Sequence, residues 1–273
     1  AVLDNYPLTG KPAALIGVAE KGYISLQITA TTEGGHSSRP PRESGAVRIA
    51  RALVALEEKQ MPADLSAPPF NQMIEAVAAD LPFATRLAFA NQWLLGSVIA
   101  GQVGGDASAN AIVRTTTAPT MLTGSIKDNV LPQRASAVVN FRIHPSDTVA
   151  SVTQHVKDAT SHIAGLTIAE YEDGIGSEPS PVSAMDSEAY RVLEAVARAT
   201  GGGEVPVAPP LVIGATDARY ASAISKDAIY RFAPAIYDDA DLNGFHGTNE
   251  RLSVDNLGRM IKGYAQIMLA LCS

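Results

Sequence analysis

Four polar stretches of this chain hold side chains that could do chemistry. The first is Glu33-Gly34-Gly35-His36-Ser37-Ser38-Arg39-Pro40-Pro41. Its two glycines let the backbone turn sharply and approach another group, and its two prolines stiffen the exit. Loops on a rigid scaffold tend to carry function; the plainer reading is a polar turn with an incidental histidine. The second is Asn243-Gly244-Phe245-His246-Gly247-Thr248-Asn249-Glu250-Arg251. Glycines on both sides give access to His246, and a neutral imidazole there could bind a metal. The plainer reading, and the favoured one for an isolated histidine, is a buried, hydrogen-bonded side chain. One histidine is not a metal site, since zinc needs three or four ligands. The third is Ile213-Gly214-Ala215-Thr216-Asp217-Ala218-Arg219-Tyr220. Here a strand ends, Gly214 permits a tight turn, and Asp217 can cap a short helix whose N-terminus could receive a carboxylate. An ordinary strand-to-helix turn has the same pattern. The fourth joins Lys127-Asp128-Asn129-Val130-Leu131-Pro132 to Asn140-Phe141-Arg142-Ile143. Arg142 shares a strand face with Asn140 and Val138, and an outward arginine can hold a carboxylate bidentately. The alternative is a surface arginine.

Several chemistries are excluded or unsupported. The sequence has no G-x-S-x-G, H-E-x-x-H or P-loop pattern. A net charge of −7 without a basic block argues against nucleic acid as a partner. With a single cysteine, Cys272, there is no disulfide framework and no multi-cysteine metal site. His155 and His162 fall on the solvated face of one helix, and His144 reads as a structural residue at a strand end. The longest apolar stretch, residues 83–100, is interrupted by Arg86, Asn91 and Gln92. It suits a buried or covering helix rather than a membrane span.

The elements that must position these residues follow from periodicity. Residues 22–31 alternate, with Ile24, Leu26, Ile28 and Ala30 on one face. Helix 42–58, strands 118–126 and 135–143, helix 148–163 and strand 166–172 follow. That order is βαββαβ, the ferredoxin-like arrangement, with residues 59–112 as a helical insert. Residues 172–181 have linker composition. Beyond them come helix 187–199, strand 206–213, short helix 217–223, strand 228–232 and a long terminal helix. This is an α/β layer whose sheet partner is the apolar run 13–19. The expected domains are 1–21 and 176–273 as parts of one α/β domain, and 22–175 as a unit inserted into it.

Taken in order and spacing, the stretches quoted above resemble the zinc-dependent exopeptidase and N-acyl-amino-acid amidohydrolase family, closest to its carboxypeptidase S branch. Further matching stretches are Ala19-Glu20-Lys21-Gly22-Tyr23, Arg114-Thr115-Thr116-Thr117-Ala118-Pro119-Thr120-Met121 and Tyr230-Arg231-Phe232. The resemblance implies a partial zinc-peptidase α/β domain interrupted by a ferredoxin-like lid that mediates homodimerisation. It implies that His36 is a catalytic lid histidine stabilising the oxyanion in the partner subunit's site. It also implies that His246 is the last metal ligand, and that Asn129, Arg142, Gly214, Thr216 and Arg219 bind a small peptide or N-acyl-amino-acid substrate. The family's H-x-D motif, bridging aspartate and Glu-Glu pair have no counterpart here. The expectation is therefore the C-terminal portion of a zinc hydrolase, inactive alone. Two zinc ions are expected in the intact enzyme and few or none in this portion. The rival is a non-catalytic dimerising or small-molecule-binding module built on the lid.

Overall fold

The computed structural model describes residues 1–172, 176–225 and 228–272. The chain opens with β1 (Val2–Tyr6), β2 (Lys11–Leu15) and β3 (Ala19–Glu20). Then come β4 (Gly22–Thr31), β5 (Gly35–His36) and α1 (Gly45–Glu58). Helices α2 (Phe70–Val77), α3 (Phe83–Ala90), α4 (Gln92–Gly104) and α5 (Ala107–Val113) fill the next stretch. They lead to β6 (Thr116–Thr123), β7 (Val130–Leu131), β8 (Arg134–Ile143), α6 (Val149–Thr160) and β9 (Leu166–Glu170). The last segment holds α7 (Glu188–Thr200), β10 (Val207–Ala208), β11 (Leu211–Val212), α8 (Ala218–Ala221), β12 (Ile236–Tyr237), α9 (Asp239–Gly244) and α10 (Val254–Leu271).

These elements divide into two compact units. Unit 2 comprises Lys21–Asp64 and Asp106–Pro179. Its sheet runs β6-β8-β4-β9 with every pair antiparallel, which is the ferredoxin-like strand order. β4 and β8 pair residue for residue from Gly22↔Ile143 to Thr31↔Arg134. The alternation that identifies β4 as a strand also fills the core. Ile24, Leu26, Ile28 and Ala30 are buried with Val139, Phe141 and Ile143 of β8, beneath Ile49, Ala52 and Leu56 of α1 and Val152 and Val156 of α6. Ser44 caps α1, and Thr148 caps α6 through a reciprocal box with Ser151, so both helices start where their free N–H groups find acceptors.

Unit 1 comprises Ala1–Glu20, Leu65–Gly105 and Ser180–Ser273. Its larger sheet runs β10-β2-β1-β12, and a second pair joins β11 to β3 in parallel. Helices α7 and α10 lie side by side. A side chain at Gly263 of α10 would meet the Pro234 Cβ at 2.4 Å, so glycine is what lets α10 lie that close.

The boundaries differ from the sequence expectation in instructive ways. Helices α2 to α5 fall within 59–112 from Phe70 on, but residues 65–105 group with unit 1 and not with the lid sheet. The reason is α2, which buries Phe70, Met73, Ile74 and Val77 and lies along β10. The stretch 83–100 is not one buried helix. It breaks at Asn91 into α3 and α4, and Phe83 and Trp93 are exposed. No described helix is long and apolar enough to cross a membrane. The strand expected at 228–232 reduces to a single bridge, Gly17↔Arg231, and the strand at 206–213 is two short pieces, β10 and β11. The expected end of the lid at residue 175 lies outside the described residues, as do 173 and 174 of the linker.

Candidate functional site

At one end of unit 2, the β4 and β8 strands continue into a narrow two-stranded arm. β5 pairs antiparallel with β7, placing Gly35 opposite Leu131 and His36 opposite Val130. Gly34 has φ +68, and a Cβ there would meet the Leu131 carbonyl oxygen at 3.0 Å, so this turn needs a glycine. His36 is exposed. Its Nδ1 accepts a hydrogen bond from the Ser38 N–H at 3.1 Å. In the neutral ring that leaves the proton on Nε2, free to donate outward. The Ser37 N–H donates to the Asn129 carbonyl at 3.1 Å. The arm thus brings His36 and Asn129 together, 93 positions apart in sequence.

Arg142 lies at the other end of the same sheet. It sits on β8 opposite Tyr23 of β4 and Thr116 of β6, with its guanidinium 4.9 Å from the Tyr23 ring centroid. From Arg134 to Arg142 the strand spans roughly 26 Å at about 3.3 Å per residue. One lid therefore cannot bring His36 and Arg142 to one small substrate. Arg142 is half-buried rather than a free surface arginine, and its neighbourhood is ionic. Lys21 donates to the carbonyls of Ala111 at 2.9 Å and Arg114 at 2.8 Å. Burial, followed by the charge of Arg142, pushes its pKa down to about 7, with Asp147 opposing. His144 is buried as expected of a structural residue, and burial lowers its pKa.

In unit 1, β11 leads into the exposed turn that holds Gly214 and Thr216. Asp217 does not cap α8 with its side chain. Thr216 does so instead, its Oγ1 accepting from the Ala218 N–H at 3.1 Å. The Thr216 hydroxyl in turn donates to Glu20 Oε1. Nothing lies within 4 Å of a Cβ built at Gly214, so the space above the turn is open. Arg219 is folded back on its neighbour, donating to the Tyr220 hydroxyl at 2.8 Å. His246 is exposed rather than buried, at φ 58, and its N–H donates to Glu250 Oε2 at 3.1 Å.

No group of three or more His, Cys, Asp or Glu that could hold a metal occurs among the described residues. The described donors therefore do not by themselves fit a zinc centre. Sequence reasoning gave no role to Glu20, Arg231 or Tyr23. Each lies in a stretch that carries the family resemblance, but their pairing depends on registers that no local pattern contains.

A peptidase dimerisation domain, that of the M20 family, matches residues 18–166. An N-fatty-acyl-amino acid synthase/hydrolase from Danio rerio is 36% identical over 260 residues, covering 94% of this chain and 49% of the relative. The Homo sapiens protein of the same description is 34% identical over 264 residues, covering 96% and 52%. A probable carboxypeptidase S-like protein from Dictyostelium discoideum is 31% identical over 263 residues, covering 96% and 49%. The chain thus spans about half the length of the curated relatives it matches. Among solved structures, an M20 family metallo-carboxypeptidase from Sulfolobus solfataricus superposes with a TM-score of 0.58 at 16% identity, covering 94% of this chain and 60% of that one. Human carnosine dipeptidase 1 gives 0.57 at 14% identity, covering 98% and 57%. At these identities the two structures establish the fold.

Proposed function

The chain belongs to the M20 peptidase family and carries its dimerisation domain, and on that premise we propose that it is the C-terminal portion of a zinc-dependent, homodimeric hydrolase of peptide or N-acyl-amino-acid amide bonds. The names of the relatives favour N-acyl-amino acids and carboxypeptidase substrates. The intact enzyme takes its zinc from ligands beyond His246, and this portion alone is inactive. The described donors do not assemble a metal centre, so this chain's contribution to the chemistry is that of its own side chains.

The observation that carries the reading is the geometry of His36. The imidazole is exposed on a glycine-rich, proline-stiffened arm, and the Ser38 N–H donates to Nδ1, which leaves the neutral ring's proton on Nε2. A neutral donor fixed this way suits the oxygen of a tetrahedral intermediate, where charge develops during amide cleavage. Asn129 adds a second polar group beside it. Arg142 holds a substrate carboxylate, and the Gly214–Thr216 turn, with Arg219 beside it, binds the substrate's polar end. With His36 and Arg142 separated by the length of the sheet, a two-fold dimer supplies them to one substrate from different subunits.

The test mixes two inactive full-length proteins, one carrying His36→Ala and the other lacking the family's general-base glutamate. His36→Ala alone should lower kcat by about 100- to 1000-fold with metal content unchanged. A mixed dimer holds one site with both lesions and one with neither. Subunit exchange should restore activity toward about half the wild-type value per mixed dimer. If exchange occurs and no activity returns, His36 serves its own subunit or is not catalytic.

A further inference from the structure

A buried carboxylate stands directly behind the exposed turn of unit 1. Glu20 is 2% exposed and forms an ion pair with Arg231, Nε to Oε1 at 3.2 Å, in which both side chains are almost wholly out of water. Burying such a pair costs several kcal/mol of desolvation for each ion, and geometry must repay it. A well-packed hydrophobic pair of similar volume often serves stability as well. The ion pair therefore calls for a reason other than stability, and its remaining contact supplies one.

The Glu20 backbone is fixed on both sides. Its strand β3 pairs with β11 through Val212↔Glu20. Its N–H donates to Ser180 Oγ at 2.8 Å, and its carbonyl accepts from the Ser180 N–H at 3.0 Å. The Arg231 backbone is clamped to Gly17 by reciprocal hydrogen bonds of 2.9 Å, and its Nη1 donates to the Ile229 carbonyl at 2.8 Å. From this rigid base, Oε1 accepts the hydroxyl of Thr216. The turn has little else to hold it. Asp217 makes no cap, Gly214 is in open space, and its neighbours from 213 to 217 are all exposed. Among the described residues, Thr216 to Glu20 is the side-chain hydrogen bond that ties this turn to buried structure.

We infer that Glu20, paired with Arg231, is a positioning residue that presets the turn at 214–216 for the substrate, acting through the Thr216 hydroxyl. The inference rests on the reading of that turn as a substrate-binding element. Preset donors bind and orient a ligand without an ordering cost at the moment of binding, so their loss appears first in affinity. A threonine hydroxyl is the right tether. It donates to the carboxylate with its proton and accepts the Ala218 N–H with a lone pair, and so ties the start of α8 to the buried carboxylate.

The experiment measures kcat and KM of the intact enzyme on an N-acyl-amino acid and on its methyl ester. Thr216→Val should raise KM for the free acid about tenfold, the scale of one charge-assisted hydrogen bond, with kcat within threefold. Thr216→Ser, which keeps the hydroxyl, should return KM to near wild type. Glu20→Leu, which removes the acceptor, should reproduce the Thr216→Val phenotype, and the double variant should be no worse than either single one, because both remove the same tether. If Glu20→Leu does not fold, the Val/Ser pair at position 216 decides. Equal KM values for Val and Ser, or additive losses in the double variant, would overturn the inference. Gly214→Val separates it from the reading beneath it, because bulk placed in the open space should itself raise KM. An unchanged KM in Gly214→Val sinks the substrate-binding turn. A raised KM there, with Thr216→Val unchanged, sinks only the role of Glu20.

Discussion

The two units solve the problem of a hydrophobic core differently. In unit 2, two ten-residue strands pair in unbroken register, and the residues they point inward are covered by helices from the same unit. Ile24, Leu26, Ile28, Val139, Phe141 and Ile143 are no more than 1% exposed. In unit 1, four strands are only two residues long apiece, β3, β10, β11 and β12. Its terminal helix buries Asn256 and Gly263, yet it leaves Val254, Leu257, Ile261, Tyr264 and Met268 exposed along one stripe. Residues 22–31 alternate, and the terminal helix carries Leu257, Ile261, Tyr264 and Met268 at helical spacing, so both are amphipathic in sequence. The difference teaches that periodicity reports which face of an element is apolar; only neighbours decide whether that face is covered.

The contrast can be broken most forcefully at Phe141. Truncating it to alanine in the middle of the lid sheet should cost about 3–5 kcal/mol. Urea unfolding followed by hydrogen exchange should place the loss in β4, β8 and α1, with exchange in unit 1 unchanged. Simultaneous loss of protection in both units would mean that they unfold as one, and the comparison would fail.

A smaller effect concerns Lys21, the first residue of unit 2. Its pKa of about 7 lies below the usual 10.5 because of burial and Arg142. Between those two pH values the unfolded chain binds the proton and the folded chain does not. Raising pH through this window should therefore stabilise unit 2, by up to about 1.4 kcal/mol per pH unit. Lys21→Met should lack this slope. Unfolding curves at pH 7, 8 and 9 that rise in parallel for both proteins would assign the slope to another group. The smallest effect is expected at the α10 stripe. Ile261→Ser, at 64% exposure, should change stability by no more than about 0.5 kcal/mol. A loss above about 2 kcal/mol would show that the stripe is covered in solution.

Much of the lid was legible from residue order because its signals are local and repeated. Strand alternation in 22–31, the apolar face of α1 and the β-α-β-β-α-β order each follow from chain chemistry over short distances. The fold class and the family followed from these signals together with the spacing of the matched stretches. The insert was misplaced for an equally plain reason. That residues 70–104 form helices is a local fact, but the choice of β10 over the lid sheet as the partner of α2 is a contest between two distant apolar surfaces.

The candidate site divides along the same line. Composition and spacing determined which residues are available, namely His36 on a glycine-rich loop, Asn129 before a proline, Arg142 on a strand and Thr216 in a turn. The tertiary structure decided their company. Antiparallel register set His36 beside Asn129 and put Arg142 at the far end of the sheet. It also replaced the expected Asp217 cap with Thr216, and joined Thr216 to Glu20 across 196 positions of chain. Residue types and short periods are written in the sequence because side-chain chemistry and backbone geometry act over a few residues. Pairings such as Glu20 with Thr216 and Arg231 arise only when distant strands come into register and bury what lies between them.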